Sequence, residues 1–356
     1  MKIAVVGGAG FIGANFVYYW KIHHPEDQII IIDSLTYAGH FSSIEYLVKS
    51  SQVQFWKTDI RNQSALQLFF NRHPDMDWII NFAAESHVDR SIANPEDFMT
   101  TNVLGTYNLL EAIRPYPNTK YHHISTDEVY GELGFLDTQG FTEQSHYRPN
   151  TPYAASKAAS DLIALSYYHT YGTKVSVSNC SNNYGRYQDP EKFISRAITN
   201  LLEGKDIPIY GTGDNRRDWI HVEDHCSALE CIITCDEEKY NKAVVGQKFN
   251  IGTNSSISNI EIAKKLLRYA KLTYRSMSDP SLYFVADRKK HDLVYQVDFS
   301  KMFQTFGWQP DIDLDRGLYH TFEWYGTNAD WWQPIKEVAE KFYREGDPNV
   351  FQRNSL

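Results

Sequence analysis

The chain has 356 residues, of which 42% are hydrophobic, and its 35 basic and 44 acidic side chains give a formal net charge of −9. This acidic balance argues against a broad surface for nucleic acid or anionic membranes, and no apolar run approaches the roughly 20 residues that a membrane span needs. Its four cysteines are too few for a disulfide scaffold, and no set of His and Cys residues completes a metal site. We therefore expect a soluble, cytoplasmic protein without a bound metal, built as two domains or as one large α/β unit with a lobe attached.

Short apolar runs alternate with helical patterns through the first half of the chain. Strands are predicted over residues 2–6, 29–32, 53–58, 78–83, 121–125 and 174–178. Helices are predicted between them, over residues 11–23, 64–72, 97–113 and 152–171. This regular alternation indicates a doubly wound parallel α/β sheet, and the nearly continuous β-branched runs indicate that both faces of the sheet are buried.

The regular alternation ends at about Asn182. Turn-rich stretches over residues 181–185 and 210–214 then surround shorter helices. We place the main domain over residues 1–181 and a smaller C-terminal α/β lobe over residues 182–356. The main domain is expected to take back a later stretch near residues 215–252, and residues 248–252 are a candidate strand for its sheet.

A glycine-rich turn follows the first strand and opens the first helix. Gly7, Gly10 and Gly13 fall in the order G-x-x-G-x-x-G, a variant of the G-x-G-x-x-G pattern of dinucleotide-binding sites. A tight turn, a close approach of the backbone to a pyrophosphate, and close packing of helix on strand each require a residue without a Cβ. The free N–H groups at the start of the helix would bind the phosphates. The pattern predicts a Rossmann domain that binds a dinucleotide.

Asp33 ends the second predicted strand, twenty residues beyond Gly13. A carboxylate at this position accepts hydrogen bonds from both ribose hydroxyls and repels a 2′-phosphate, so NAD is favoured over NADP. Asp59 follows the third strand and is a candidate for the adenine end of the same site.

Tyr153 and Lys157 are predicted to lie one turn apart near the start of a helix. An ammonium about 4 Å from a phenol would lower the phenol's pKa by roughly three units at an effective dielectric near 20. Tyr153 would then be a usable base for a sugar hydroxyl. A second Tyr-x-x-x-Lys, at Tyr116 and Lys120, is discounted because Pro117 breaks the helical turn between them.

The fifth predicted strand ends in Ser-Thr-Asp-Glu, and the carboxyl ends of strands face the ligand crevice of a doubly wound sheet. Thr126 can bind a substrate hydroxyl there. Asp127 and Glu128 place two carboxyl groups side by side, and repulsion with partial burial would raise the pKa of one, giving one acid and one base. A simple hydride exchange needs neither group, whereas elimination of water needs a base for a C–H proton and an acid for the departing hydroxyl.

With these motifs the chain resembles the extended short-chain dehydrogenase/reductase family, and within it the sugar-nucleotide 4,6-dehydratases. The resemblance covers the chain from Gly7 to about Trp332. It rests on the motif segments at residues 7–13, 33–39, 81–91, 125–131, 153–157, 180–185 and 217–219. The adjacent Asp127 and Glu128 distinguish the dehydratases from the related epimerases and decarboxylases. Those enzymes share the glycines and the Tyr/Lys pair but lack this acid pair.

The resemblance implies NAD-dependent dehydration of an NDP-glucose, dTDP-glucose in the first place, to a 4-keto-6-deoxy sugar nucleotide. It implies that Tyr153 takes the 4-hydroxyl proton as C4 is oxidised, that Glu128 removes the C5 proton, and that Asp127 protonates the departing C6 hydroxyl. Hydride then returns to C6, so NAD is regenerated in each turnover and is expected to stay tightly bound. The family also implies a homodimer joined through the helices at residues 97–113 and 152–171.

The resemblance further implies which residues line the two ligand sites. For NAD these are Gly7, Gly10, Phe11, Ile12, Gly13, Asp33, Ser34, Leu35, Thr36, Asp59, Ile60, Phe82, Ala83, Ala84, Ser86, Thr101, Tyr153, Lys157 and Asn183. For the sugar nucleotide they are Ser86, His87, Thr126, Asn182, Lys192, Phe193, Pro208, Tyr210, Arg217, Asn250, Arg288 and His291. Arg217 and Arg288 are the planar donors that a diphosphate prefers.

Three departures from the family pattern involve four positions. Lys290 stands where a Gly is usual, Leu293 and Val294 replace an Arg pair, and Arg186 replaces a Pro. All four are placed in the lobe that binds the nucleotide. The type of reaction is therefore better supported than the identity of the nucleotide base. The alternatives are a UDP-glucose 4,6-dehydratase, a 4-epimerase on the same scaffold, and a non-catalytic NAD-sensing protein.

Overall fold

The computed structural model describes residues 1–273, 280–287 and 291–346. Its strands are β1 (Lys2–Val6), β2 (Gln28–Asp33), β3 (Gln54–Lys57), β4 (Trp78–Asn81), β5 (Lys120–Thr126), β6 (Lys174–Cys180), β7 (Asn182–Tyr184), β8 (Ile207–Tyr210), β9 (Arg216–His221), β10 (Lys248–Ile251), β11 (Ser256–Ser258) and β12 (Leu282–Val285). Its α-helices are α1 (Phe11–His23), α2 (Glu45–Lys49), α3 (Gln63–Arg72), α4 (Val88–Ala93), α5 (Pro95–Phe98), α6 (Gly105–Ile113), α7 (Pro152–Tyr171), α8 (Phe193–Leu202), α9 (Val222–Thr234), α10 (Glu237–Lys239), α11 (Asn259–Thr273), α12 (Ser300–Phe306), α13 (Leu314–Thr327) and α14 (Ala329–Gly346). Short π-helical turns occupy Met99–Leu104 and Tyr240–Val244, and 3-10 turns occupy Phe41–Ser43 and Asp127–Tyr130.

Within the described residues, seven strands form the main sheet in the order β10-β6-β5-β4-β1-β2-β3, and every neighbouring pair is parallel. The predicted doubly wound parallel sheet is confirmed. The chain builds outward from β1 to β3 on one side and from β4 to β6 on the other, so the strand order reverses between β1 and β4. A ligand crevice is expected at such a switch point, beyond the carboxyl ends of the strands.

Alternate residues of the central strands enter two separate apolar cores. Ile3 and Val5 of β1 pack with Trp20 of α1 on one face of the sheet, and Ala4 and Val6 pack on the other face with residues of α3 and α6. This burial on both faces explains why the strand sequences are continuous apolar runs. Helix α9 packs on the same face as α1, so residues 222–234 also cover the main sheet.

The smaller lobe contains, in the part of the chain that the structure describes, the three-stranded sheet β11-β9-β7 and the two-stranded sheet β12-β8. Strand β9 is parallel to β7 and antiparallel to β11, and β8 is parallel to β12. These strands and helices α8, α11 and α13 enclose a third apolar core, which includes Ile198, Leu266 and Phe322. None of the helices described is both long and apolar enough to cross a membrane.

The predicted helix over residues 97–113 is interrupted. Helix α5 ends at Phe98, a π-helical turn spans Met99–Leu104, and α6 begins at Gly105. Within the turn, buried Asn102 accepts from the Glu85 N–H at 2.8 Å and donates to its carbonyl oxygen at 3.0 Å. The same amide donates to the Ser156 hydroxyl at 2.8 Å, so Asn102 links the loop after β4 to α7.

The strands of the smaller lobe were not among those predicted. They are three to six residues long, too short for hydrophobic periodicity to identify them. The expected return of the chain at residues 248–252 is observed, because β10 pairs with β6 at the edge of the main sheet. The division into domains at residue 181 stays a prediction.

Candidate active site

A cleft runs along the carboxyl ends of the main sheet, and α8, β8 and β9 of the smaller lobe line its other wall. It contains predicted residues from both ligand sites. These are Gly7, Gly10, Phe11, Ile12, Gly13, Phe82, Ala84, Ser86, His87, Thr126, Asp127, Glu128, Tyr153, Lys157, Asn182, Asn183, Lys192, Phe193, Pro208, Tyr210, Arg217 and His291.

The glycine-rich turn is packed so closely that side chains would not fit in it. A Cβ at Gly7, where φ is +78°, would lie 2.5 Å from the Ala83 nitrogen. A Cβ at Gly13 would lie 2.3 Å from the Gly7 carbonyl oxygen. Gly10, which has no side chain of its own to cap the helix, is the N-cap of α1, so the first N–H groups of α1 are available to an anion at the cleft.

Asp33 is buried at the end of β2 and joins the glycine-rich turn to the loop that follows β2. Its Oδ2 accepts from the Ala9 N–H at 2.9 Å, and its Oδ1 accepts from the Leu35 N–H at 2.8 Å. Burial raises the pKa of Asp33, whereas these backbone donors and His40 act in the opposite direction. Each carboxylate oxygen has a further lone pair for a ribose hydroxyl, so the turn, the α1 N-terminus and Asp33 fit NAD.

We expect Gly13→Ala to lower both the melting temperature and the affinity for NAD. The added Cβ would contact the Gly7 carbonyl oxygen at 2.3 Å and the Gly8 Cα at 2.8 Å, so the turn must move. Overpacking of this kind costs about 1–3 kcal/mol. Thermal unfolding with and without NAD measures both effects. Gly134→Ala is the matched control, because its Cβ would meet its nearest neighbour at 3.4 Å, and equal behaviour of the two variants would contradict the prediction.

Thr126 ends β5, Asp127 and Glu128 follow it directly, and all three line the cleft. The Thr126 hydroxyl accepts from the Glu128 N–H at 3.3 Å and donates to Asp127 Oδ1 at 3.2 Å. Asp127 is 1% exposed, and its buried Oδ2 has no hydrogen-bond partner among the described residues. Burial, followed by the charges of Glu128 and Asp218, raises the pKa of Asp127 well above its ordinary value. The predicted rise of one pKa in this pair is confirmed, and the rise favours the protonated form of Asp127 beside Glu128.

The protein's own groups do not produce the predicted fall in the pKa of Tyr153. Burial and the charge of Glu128 raise the pKa of Tyr153 well above its usual value, although a hydrogen bond with Thr126 acts against them. Lys157 donates from Nζ to the Ile124 carbonyl oxygen at 2.7 Å, and burial lowers its pKa to about 8. Desolvation of the phenol therefore outweighs the attraction on which the prediction depended.

Asn250 is predicted to bind substrate, but the structure places it outside the cleft. It is fully buried in β10, where its Oδ1 accepts from the Tyr130 hydroxyl at 2.9 Å. Its Nδ2 donates to the Phe141 carbonyl oxygen at 2.8 Å. Both ends of the amide are therefore engaged at the edge of the main sheet.

Other residues predicted to bind NAD lie beside the cleft without lining it. Asp59 is hydrogen-bonded to the Arg61 guanidinium at 2.7 Å, and Ile60 packs against Gly105 of α6. Thr36 lines a separate shallow depression. The remaining members of this group are Asp33, Ser34, Leu35, Ala83 and Thr101. The role of each in NAD binding stays a prediction, and Arg288 and Lys290 lie outside the described residues.

Several residues that line the cleft were not predicted. His40 Nε2 and Asp189 Oδ2 lie 3.1 Å apart and join the loop after β2 to the loop before α8. They are 149 positions apart in the sequence, so no local spacing could reveal the pair. Trp219 also lines the cleft. It belongs to the Arg-Asp-Trp segment at residues 217–219, on which the family resemblance partly rests, so the sequence did contain a signal that could have identified it.

Arg186, one of the departures from the family pattern, reaches across to the main domain. Its Nε donates to Asn15 Oδ1 at 2.9 Å, and the Asn15 amide donates back to the Arg186 carbonyl oxygen at 2.8 Å. Its guanidinium also lies 5.6 Å from the centre of the Tyr18 ring. The replacement therefore adds contacts between α1 and the loop after β7.

The fold and the site define an NAD-dependent enzyme of the extended short-chain dehydrogenase/reductase class. A family model described as GDP-mannose 4,6 dehydratase matches residues 4–321. The chain is 40% identical over 347 residues to the dTDP-glucose 4,6-dehydratase of Mycobacterium tuberculosis, which covers 97% of this chain and 99% of the relative. It is 41% identical over 359 residues to an Escherichia coli dTDP-glucose 4,6-dehydratase, which covers 95% of this chain and 97% of the relative. The chain belongs to the dTDP-glucose 4,6-dehydratase family.

Solved structures of that family share the fold. The dTDP-glucose 4,6-dehydratase of Bacillus anthracis, in complex with NAD, matches with a TM-score of 0.83 and 41% identity, over 94% of this chain and 99% of that chain. The dTDP-glucose 4,6-dehydratase of Streptomyces venezuelae, also with NAD bound, matches with a TM-score of 0.85 and 40% identity, over 94% of this chain and 100% of that chain.

Proposed function

We propose that the protein removes water from dTDP-glucose and forms the dTDP-4-keto-6-deoxy sugar in a reaction that uses NAD. The observation that carries this proposal is the buried Asp127, whose pKa is raised, beside Glu128 on the cleft that also holds Tyr153 and Lys157. Loss of a C–H proton together with a hydroxyl requires a base and an acid at one place. A 4-epimerase needs neither. The relatives that act on dTDP-glucose support this nucleotide sugar as the substrate.

NAD, when bound, supplies positive charge near Tyr153, the acceptor for hydride from C4 and the donor of hydride to C6. The glycine-rich turn, the α1 N-terminus and Asp33 are the groups that we assign to hold it. Tyr153 takes the proton of the 4-hydroxyl, with the Thr126 hydroxyl hydrogen-bonded beside it. Lys157, held by the Ile124 carbonyl oxygen, contributes positive charge that favours loss of this proton.

A ketone at C4 acidifies the C5–H bond, and Glu128 is the base that we assign to remove this proton. Asp127 gives its proton to the C6 hydroxyl as water leaves, and Glu128 returns a proton to C5 when C6 receives hydride. Burial and the charge of Glu128 raise the pKa of Asp127, which favours the acid form that this step needs.

The wall of the cleft that the smaller lobe forms suits the diphosphate. The Arg217 guanidinium donates to the Arg216 carbonyl oxygen at 2.8 Å and lies 4.4 Å from the centre of the Tyr295 ring, so its plane is fixed. Lys192 Nζ donates to the Ser86 carbonyl oxygen at 3.1 Å. A fixed guanidinium and a nearby ammonium are the groups that bind phosphate oxygens best, and we assign both to the nucleotide.

The protein also has an apolar face that a second copy would bury, and we include a homodimer in the proposal. Helices α6 and α7 pack side by side. Large apolar side chains on α7 and on the run from α4 to α6 are 40–60% exposed, namely Ile92, Met99, Leu104, Tyr107, Leu162 and Tyr171. An apolar face of this kind on a soluble enzyme typically marks a protein interface.

We place the enzyme in the cytoplasm. The four cysteines, all within the described residues, are free thiols. Free thiols are typical of proteins that stay in a reducing compartment.

Proton NMR in D2O, with dTDP-glucose and UDP-glucose in parallel, tests the proposal. We expect a new C6 methyl signal with deuterium at C5, formed faster from dTDP-glucose. Galactose signals without a methyl signal would show that the protein is an epimerase and not a dehydratase. A faster reaction of UDP-glucose would change the assigned nucleotide, and no reaction by a protein that binds NAD would favour the NAD-sensing alternative.

A further inference from the structure

Asp161 is a fully buried carboxylate one helical turn beyond Lys157, and the proposed reaction does not use it. Among the described residues, three donors converge on its Oδ2: the Ser125 hydroxyl at 2.9 Å, the Tyr147 hydroxyl at 2.9 Å and the Asn179 amide at 3.0 Å. Burial raises the pKa of Asp161, whereas Lys157 and these three donors lower it. Hydrogen-bond donors and a nearby cation favour the charged form of a carboxyl group, so these neighbours of Asp161 favour its ionised form.

Lys157 and His123 lie between Asp161 and the reacting groups. Lys157 Nζ is 3.5 Å from His123 Nε2, which is in turn 3.5 Å from Asp161 Oδ1. Burial, with the charge of Lys157, holds the pKa of His123 well below its usual value, so the imidazole is neutral. Asp161 is the strongest influence that raises the pKa of Lys157 against burial.

The other titratable groups around this pair do not replace the charge of Asp161. Burial raises the pKa of the surrounding phenols and of the Cys180 thiol, and it lowers the pKa of a second lysine, Lys248. Asp161 and, after it, Glu143 act against burial on the pKa of that lysine. The groups are Tyr121 and His123 of β5, Tyr130 and Tyr147 of the following segment, Tyr153 of α7, Cys180 of β6 and Lys248 of β10.

Asp161 also holds the strand ends that carry the acid pair. Ser125, which donates to Asp161, directly precedes Thr126. Asn179 of β6 donates both to Asp161 and to the Thr126 carbonyl oxygen, the latter at 3.2 Å. Helix α7 is thereby joined to the ends of β5 and β6 directly beneath the reacting groups.

We propose that Asp161 is a positioning residue that keeps Lys157 protonated beside Tyr153 while the reaction proceeds, an inference that rests on the proposed function. Asp161 acts through Lys157 and lies beneath the cleft surface. An ammonium buried without its anion gives up its proton more readily. Loss of the Asp161 charge should therefore shorten the pH range over which Lys157 is charged.

The test compares kcat/KM from pH 6 to pH 10 in the wild type and in Asp161→Asn. We expect the alkaline limb to move down by about one pH unit or more, so that activity at pH 9 falls about tenfold while activity at pH 6.5 stays within about threefold. Titration of protein labelled with 13C at lysine Cε, with the Lys157 signal assigned by its loss in Lys157→Met, should show the same downward shift. Tyr167→Phe is the matched control, because Tyr167 is on the same helix as Asp161 and the change removes its part-buried hydrogen bond to Glu111 of α6, which should leave the limb unchanged.

Tyr147→Phe is a milder variant that removes one donor to Asp161, and we expect a smaller shift in the same direction. If Asp161→Asn does not fold, the pH profile of Tyr147→Phe tests the proposal in its place. An alkaline limb and a Lys157 titration that match the wild type in the folded variants, with activity reduced equally at every pH, would overturn the proposal. A wild type without dehydratase activity would instead contradict the proposed function, and the lysine titration alone would then decide the role of Asp161.

Discussion

Glu128→Gln is expected to abolish both formation of the C6 methyl group and exchange of the C5 proton, with a loss of about 10²- to 10⁴-fold. An amide of nearly the same shape cannot accept the proton, while the Glu128 N–H bond to Thr126 that holds the turn in place is retained. Proton NMR in D2O reports both signals in one experiment. Oxidation at C4 requires Tyr153 and not Glu128, so it should persist in part.

Asp127→Asn is the matched comparison for this variant. It removes the acid beside Glu128 and leaves the base, so we expect C5 exchange to continue while methyl formation is lost. The two assignments are contradicted if Glu128→Gln dehydrates at the normal rate, or if the two variants lose exchange and methyl formation to the same extent.

Tyr153→Phe is expected to lower kcat by about 10²- to 10⁴-fold, and C5 exchange should disappear with the overall reaction. The reason is that C5–H becomes acidic after C4 has been oxidised, and Tyr153 is assigned to the first step. Binding of dTDP-glucose, measured by calorimetry, should change by no more than a few-fold because the ring remains.

The chain provides its own control for Tyr153. Tyr116 and Lys120 have the same spacing, but Tyr116 lies in the loop after α6 and its hydroxyl donates to Asn71 at 3.1 Å. Tyr116→Phe should leave kcat within about twofold of the wild type, because Tyr116 is half-buried away from the residues that line the cleft. A loss of similar size in both variants would show that Tyr153 matters for stability and not for chemistry.

The main sheet could be predicted from the sequence because its signals are local. Strands β1, β2 and β4 are nearly continuous apolar runs separated by helical patterns, and β1, α1 and α7 have the predicted bounds. The smaller lobe could not be predicted, because strands such as β7 have three residues and depend on pairing with a distant β9. The π-helical turn was missed for a related reason, since its buried Asn102 is satisfied by residues on two other elements.

The candidate site could also be predicted only in part, because its local motifs are readable from the sequence and its burial and distant neighbours are not. Motif residues such as Thr126 and Asp127 lie in the cleft, as their places at the end of a parallel strand indicate. The sign of the pKa shift at Tyr153 was missed because burial cannot be read from spacing, and desolvation proved stronger than the nearby lysine. Asn250 was misplaced because its neighbours Tyr130 and Phe141 come from a loop more than a hundred residues earlier.

The position of β10 has a consequence for how the protein is made. Strand β6 is paired on one side by β5 and on the other by β10, and about seventy residues separate the end of β6 from the end of β10. At ~5–20 residues per second, a ribosome needs roughly 4–14 seconds to add that stretch. During this interval the edge of β6 is open, and unpaired strand edges are templates for aggregation. The nascent chain therefore passes through a stage that chaperones would be expected to protect, and a fragment that ends at residue 181 would remain in it permanently.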